Sequence, residues 1–398
     1  MRITRFNTFK FLNTVGEEMS SEARCPHCLR KIKLGDLKFY CVTDDDKKHS
    51  VSLSIMDRIK KRLPICRRNF CKNKGTTVHE AECAHCGEQL PTQILFHDKF
   101  LSFCAIGVAG AGKSSYLTTL IHELKYSSLP WVIQPMDVET TEQTQIKEHN
   151  LYEARRCPEG TKSGESPKPQ LWTILDNSAK KEKVPTYALT VYDGAGEDCE
   201  RIGYTAKDSA ISRYISGSDM LLIMFDPLLL SSVRGEVMPE ILNASMATER
   251  QTSAPANMVS MVNSLANYIR QSCNIKPGKR IEAKAAVVLT KLDALREIPG
   301  GFGSSSTISK ESPHAKMRGF VKSDSEMVNL EIRDWLSRQG ETAFLDAIDA
   351  NFKNVRVFGV SSFGNPPDKN KKLAKVRPHR VLDPIMWMLA EENIIPTL

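Results

Sequence analysis

No run of 18 apolar residues occurs in this 398-residue chain, so no membrane-spanning helix is expected. The first 18 residues carry Arg2, Arg5 and Lys10 among scattered Phe and Leu but lack a continuous apolar core. They do not read as a secretory signal, and residues 1–20 are expected to be an extension of a cytoplasmic protein. Aromatic residues are sparse, and none interleaves with the basic runs Arg58–Arg62 and Arg67–Arg68, which argues against a nucleic-acid platform. The net charge of +8 is mild for this length and points to no polyanion.

Cysteine is not scarce. Seven of the 11, namely Cys25, Cys28, Cys41, Cys66, Cys71, Cys83 and Cys86, crowd the N-terminal part. Cys25-Pro-His-Cys28 and Cys83-Ala-His-Cys86 are C-x-x-C knuckles, and two such knuckles offer four thiolates to Zn²⁺. No βαβ pattern surrounds them, which removes a thioredoxin-like redox reading. Two pairings are open. Cys25/Cys28 can join Cys83/Cys86 across a long insertion. Alternatively Cys66/Cys71 can join Cys83/Cys86 at ordinary ribbon spacing, leaving Cys25/Cys28 to recruit Cys41 and either His49 or His79. Seven cysteines and one histidine would fill two sites. A zinc-ribbon-like domain over residues 21–97 follows, with metal replacing a core too small to fold alone.

Phe100 to Leu124 reads FLSFCAIGVAGAGKSSYLTTLIHEL. An apolar run precedes Gly107, Gly110, Ala111, Gly112, Lys113, Ser114 and Ser115, and helical spacing of Leu117, Leu120, Ile121 and Leu124 follows. This is G-x-x-x-x-G-K-S between strand and helix. Backbone N–H groups and the helix N-terminus would cradle phosphates, Lys113 would reach the outer ones, and the Ser114 hydroxyl would hold Mg²⁺.

Leu171–Leu175 and Thr186–Tyr192 read as strands of a hairpin, and the second runs into Asp193-Gly-Ala-Gly196. An Asp at a strand end can hold Mg²⁺, and a Gly three positions on can approach a γ-phosphate. Ser218–Asp226, Ala285–Leu289 and Val355–Val360 read as buried strands. Met258–Ile269 and Val381–Leu389 read as helices, and Val138–Arg156 as a polar one. Alternation of this kind predicts an α/β fold, a doubly wound and mostly parallel sheet over residues 98–398. Thr290-Lys-Leu-Asp293 resembles the base-reading motif of P-loop GTPases, which implies that Asp293 would accept two hydrogen bonds from guanine. Against adenine it would be a buried unpaired charge costing ~3 kcal/mol or more.

In this order these motifs resemble the TRAFAC P-loop GTPases over roughly Phe100 to Leu398. The zinc-bearing head before them resembles the bacterial double-GTPase group of conflict systems, which implies a role in anti-phage defence. The resemblance implies GTP as substrate, with Thr290, Lys291, Asp293, Ser361 and Ser362 at the base. It implies Ser114, Thr161 and Asp193 at Mg²⁺, and Lys113, Gly196 and Glu197 in catalysis. Thr290 stands where Asn is commonest. Gly110 stands where potassium-activated relatives keep Asn. Glu197 stands where small GTPases often carry Gln, which implies slow hydrolysis without a partner. The expected role is a GTP-dependent switch acting on a protein partner docked through the zinc head or switch loops, or on a second copy of the chain. A nucleotide-held scaffold with little hydrolysis is the alternative. A dynamin-like membrane protein is disfavoured, since no long helical stalk follows.

Overall fold

The computed structural model describes residues 19–43, 48–158, 168–178, 183–194, 210–237, 239, 242, 258–296, 298–368 and 370–398. The chain forms two compact units. The smaller comprises the residues up to Cys25, Arg30–Phe100 and Thr186–Ala188. The larger comprises Pro26–Leu29, Leu101–Pro185 and Leu189–Leu398.

The smaller unit holds a four-stranded antiparallel sheet of β1 (Leu37–Val42), β2 (Lys48–Val51), β3 (Glu80–Cys83) and β4 (Gln89–Pro91), in the order β2-β1-β3-β4. Alternation in β1 turns Leu37, Phe39 and Cys41 inward, as period-2 spacing requires. The five-residue helix α1 (Ile55–Ile59) is nucleated by a capping box. The Ser54 hydroxyl accepts from Asp57 N at 3.1 Å, and the Asp57 carboxylate accepts from Ser54 N at 3.0 Å.

The larger unit is a mixed α/β structure around a seven-stranded sheet. Its strands are β5 (Lys99–Ile106), β6 (Trp131–Pro135), β7 (Gln170–Asp176), β8 (Thr186–Asp193), β9 (Met220–Phe225), β10 (Lys284–Leu289) and β11 (Val355–Gly359). The order is β11-β10-β9-β5-β8-β7-β6. The pairs β5/β9, β9/β10 and β10/β11 are parallel, and β6/β7 is antiparallel at the edge. Strand β9, Met-Leu-Leu-Ile-Met-Phe, is buried at every position, which is what a central parallel strand covered on both faces demands. Strand β6 had no counterpart in the sequence reading, since five residues with alternating burial give little signal.

The helices of eight or more residues among those described are α2 (Lys113–Tyr126), α3 (Val138–Glu148), α4 (Ala210–Gly217), α5 (Met258–Ser272), α6 (Lys322–Arg338), α7 (Thr342–Asn351) and α8 (Asp383–Glu391). The stripe Met258, Met261, Val262, Leu265, Ala266 and Ile269 of α5 is buried, as its spacing predicts. Helix α3 stops at Glu148 and gives way to a π-helical turn, His149–Glu153, rather than continuing to Arg156.

Arg380, just before α8, is the ionic tie of this half. Its side chain has no exposed surface. It donates to the Asp324 and Asp383 carboxylates at 2.9 and 2.8 Å, and to the carbonyls of Lys310 and Thr307 at 3.0 and 2.9 Å. His314 lies 3.8 Å from Asp383, with Nδ1 accepting from Val321 N. His314, Asp324 and Asp383 are grouped as metal ligands would be, yet the guanidinium already supplies their cation. Arg380→Met should leave two carboxylates buried without a cation and lower unfolding free energy by about 3–5 kcal/mol, read from urea denaturation at pH 7.

Candidate functional site

The phosphate loop leaves the carboxyl end of β5. A Cβ on Gly107 would lie 2.9 Å from the Met224 carbonyl oxygen, so the loop can pass β9 only without a side chain. Gly112 caps α2 in the left-handed region, at φ 89°, and Gly110 is likewise left-handed. Ala111 is buried, and Ser114 and Ser115 stand half-buried in the first turn of α2. The Lys113 ammonium, buried, donates to the carbonyl oxygens of Gly107 at 2.8 Å and Val108 at 3.0 Å. The loop thus folds around its own lysine.

Asp193 ends β8, the strand beside β5. Its Oδ1 is buried and has no hydrogen-bond partner among the described residues, while Lys147 Nζ stands 3.7 Å from Oδ2. A buried carboxylate oxygen without a donor suits a hard cation such as Mg²⁺. Thr161, Gly196 and Glu197, expected at the same place, lie outside the described residues.

Thr290, Lys291 and Asp293 follow β10. A Cβ on Gly112 would sit 4.0 Å from Thr290 Cβ, so this segment abuts the phosphate loop directly. Thr290 is tied through its amide and hydroxyl to the Phe225 carbonyl at 2.9 and 3.2 Å. Lys291 takes a left-handed backbone, and its ammonium is held 2.6 Å from Asp226. Asp226 was absent from the sequence-derived site. Its signal was available, since it follows directly on the apolar run of β9. The Ser361 hydroxyl, on the loop after β11, donates to Asp293 Oδ1 at 2.6 Å and accepts from Gly364 N at 2.8 Å. Ser362 follows on the same loop. Burial raises the Asp293 pKa, opposed by the Ser361 hydroxyl. The free carboxyl is therefore primed to gain donors.

The cysteines form two groups. Cys25, Cys28, Cys83 and Cys86 make one, with Cys25 and Cys86 sulfurs 3.7 Å apart. Cys41, His49, Cys66 and Cys71 make the other, with Cys41 and Cys71 sulfurs 3.7 Å apart and Cys66 Sγ 3.4 Å from His49 Nε2. In each group all four donors lie within 4.8 Å of one another. Disulfides would need sulfurs at ~2 Å. A zinc tetrahedron with ~2.3 Å Zn–S and ~2.0 Å Zn–N bonds instead sets S···S near 3.8 Å and S···N near 3.6 Å. The donor sets therefore fit Zn²⁺. The ribbon-spaced pairing of Cys66/Cys71 with Cys83/Cys86 is not the one observed. The reason is register. Cys41 and His49 are direct cross-strand partners in β1 and β2, which puts both on one face beside Cys66 and Cys71. His79 belongs to neither group.

No family model matches the chain. A curated relative, the "Putative ESX-1 scaffolding and assembly protein SaeC" of Mycolicibacterium smegmatis, is 28% identical over 219 residues, 52% of each chain. The chain thus spans about half the length of that relative. Among solved structures, the S. cerevisiae Ski7 GTPase-like domain bound to GDP and inorganic phosphate gives a TM-score of 0.34 at 13% identity, over 75% of this chain and 51% of that one. The Arl6 BBS3 small GTPase from Trypanosoma brucei gives 0.27 at 10% identity, over 66% and 87%. At such scores the reading rests on the chain's own geometry. Among the described residues no helix is long and apolar enough to cross a membrane.

Two outcomes follow. Protein prepared without chelator should carry two zinc ions per chain by elemental analysis, and His49→Ala should carry one, with the Cys25/Cys28/Cys83/Cys86 ion retained. Ser361→Ala should weaken guanine-nucleotide binding by roughly tenfold, the size of a lost hydrogen bond to a charged group. Were guanine held by Asp293, only the carboxylate would accept from it, so affinity would fall as pH drops through the pKa that burial raises. Loss of the Ser361 donor moves that fall to higher pH, as a calorimetric pH series would show.

Proposed function

We propose that the chain is a GTP-binding switch that hydrolyses GTP slowly and couples nucleotide state to the assembly of a protein partner, with the zinc head as docking module. The observation that carries the base assignment is Asp293, braced by Ser361 and set on a segment that abuts the phosphate loop at Gly112. A carboxylate there discriminates guanine from adenine by its two donors. Lys291, pinned by Asp226, offers its aliphatic stem to the base plane.

For hydrolysis the chain supplies position and charge. Mg²⁺ would neutralise phosphate charge, held by Ser114 and Asp193 with Thr161 in the GTP state. Binding of phosphate would draw Lys113 off the Gly107 and Val108 carbonyls and onto the outer oxygens. Gly196 would report the γ-phosphate, and Glu197 would repel it unless turned away or protonated. That repulsion favours slow turnover and keeps open a scaffold that holds GTP with little hydrolysis. The name of the SaeC relative, scaffolding and assembly, supports partner assembly as the output. A role in defence systems rests on the order of zinc head and GTPase alone.

Calorimetry with GDP and ADP in Mg²⁺ should show GDP far tighter; comparable affinities would remove the guanine assignment. Asp293→Asn should turn preference toward xanthine nucleotides, and Lys113→Ala should lose nucleotide without loss of fold. Phosphate release by wild type at saturating GTP should fall near roughly 10⁻⁴ to 10⁻² s⁻¹. Turnover of several per second at high dilution would instead make Glu197 an active water-orienting residue.

A further inference from the structure

The smaller unit has the features of a further ligand site, which shares only His49 with the donor groups. Between Ile55 and Lys74 the chain carries eight Lys and Arg residues against one acid, Asp57. Asp57 is buried and already engaged, bonded to Ser54 and to Arg62 at 2.9 Å, with Arg67 at 3.7 Å. The surplus positive charge is therefore on the surface. Large apolar side chains share this stretch: Ile55 is 77% exposed, Ile59 68%, and Phe70 wholly so. Phe70 lies between the grouped ligands Cys66 and Cys71, in the left-handed region at φ 66°, a conformation an aromatic residue adopts only when its surroundings impose it. Beside them runs a groove of about 350 Å³. One wall is β2 with the residues that follow it, His49 to Ser54; the other is Ile65, Arg67 and Arg68. Strand β2 is the edge of its sheet, so its outer side has backbone N–H and C=O groups to offer.

We propose that this groove binds an extended acidic segment of a partner protein, which adds as a strand to the edge of β2 and places its carboxylates against Arg67 and Arg68. Strand addition draws affinity from main-chain bonds and specificity from alternate side chains. Here Arg67 and Arg68 line the groove, and the exposed Ile55 and Phe70 stand close in sequence to its lining residues Ser54 and Arg68. A bilayer surface could use the apolar residues and the charge, but it would leave the groove and the strand edge idle. This inference deepens the docking role proposed for the head and does not depend on the nucleotide reading.

The test uses the full zinc-loaded chain and labelled 12-residue peptides alternating Glu with Val or Ile, followed by fluorescence anisotropy. Three probes are compared: the acidic peptide, its Glu-to-Lys counterpart, and an acidic peptide with Pro at every second position, which lacks the donors for a β-ladder. Expected are saturable binding of the first alone, weakening by about tenfold or more between 50 and 300 mM salt as screening shortens, and a similar loss in Arg67→Glu/Arg68→Glu. Zinc content and GDP affinity of that variant should match wild type, which separates loss of the surface from loss of the fold. Binding that survives proline or the charge reversal overturns the proposal, as does the absence of binding by every acidic peptide. Co-sedimentation with phosphatidylserine vesicles that depends on Ile59 and Phe70, without peptide binding, would assign the face to membranes instead. Failure of GDP binding with peptide binding intact would sink the switch and leave this proposal standing.

Discussion

The register of four parallel strands governs how the strand ends of the larger unit are arranged. Ile106 of β5 stands beside Ile223 of β9, Phe225 of β9 beside Leu289 of β10, and Leu289 beside Gly359 of β11. With β9 buried throughout, a one-step slip would require a shift of side chains that are packed on both faces. Strands β9, β10 and β11 therefore end at one level, with β5 two residues short of it, and Asp226, Thr290 and Ser361 follow from these ends. Gly107 shows how tight the packing there is, since even a methyl group would collide with the β9 backbone. Gly112 and Thr290, distant in sequence, abut because apolar packing fixes the strands.

Charge at these strand ends is handled by pairing until a ligand arrives. Lys113 is held by carbonyl oxygens, Lys291 by Asp226, and Asp293 by a hydroxyl. Burying any of them alone would be costly, and each partner chosen differs in strength. The 2.6 Å ion pair of Lys291 with Asp226 fixes that lysine's position. Lys113 is held only by neutral carbonyl oxygens, which a phosphate would displace under the proposed function. Asp293 takes the Ser361 hydroxyl on Oδ1 and would keep acceptor capacity for a base. Local strength of pairing thus separates groups that position from groups that bind.

Much of this was legible in the sequence because the chemistry is local. The α/β class followed from apolar runs alternating with helical spacing, and the phosphate loop and Thr-Lys-Leu-Asp are contiguous motifs beside those runs. What escaped was set by tertiary register or by weak pattern. The partnership of Cys41 with His49 depends on a hairpin register that spacing cannot give, so spacing left two pairings open, of which the structure shows Cys25/Cys28 with Cys83/Cys86. Asp226 lay in plain view at a strand end, but its role depends on Lys291 reaching back from the next strand. Helices α6 and α7 and the Arg380 network, which links residues 307 to 383, carry no motif at all.

The two units solve the same problem with different means. The larger has enough chain to bury a continuous strand and to afford an ion network about Arg380 without exposed surface. The smaller has a four-stranded sheet, one short helix and few large apolar residues, and most of its stretch from Ile55 to Lys74 is turned to solvent. Zinc at the two donor sets would fix those segments where hydrophobic burial cannot. Metal ligation would also free the intervening side chains from packing duty. A chain held at Cys66 and Cys71 could keep Phe70 in water and arginines beside it, because its conformation would not depend on burying them. That freedom would allow so small a unit to present the surface proposed above.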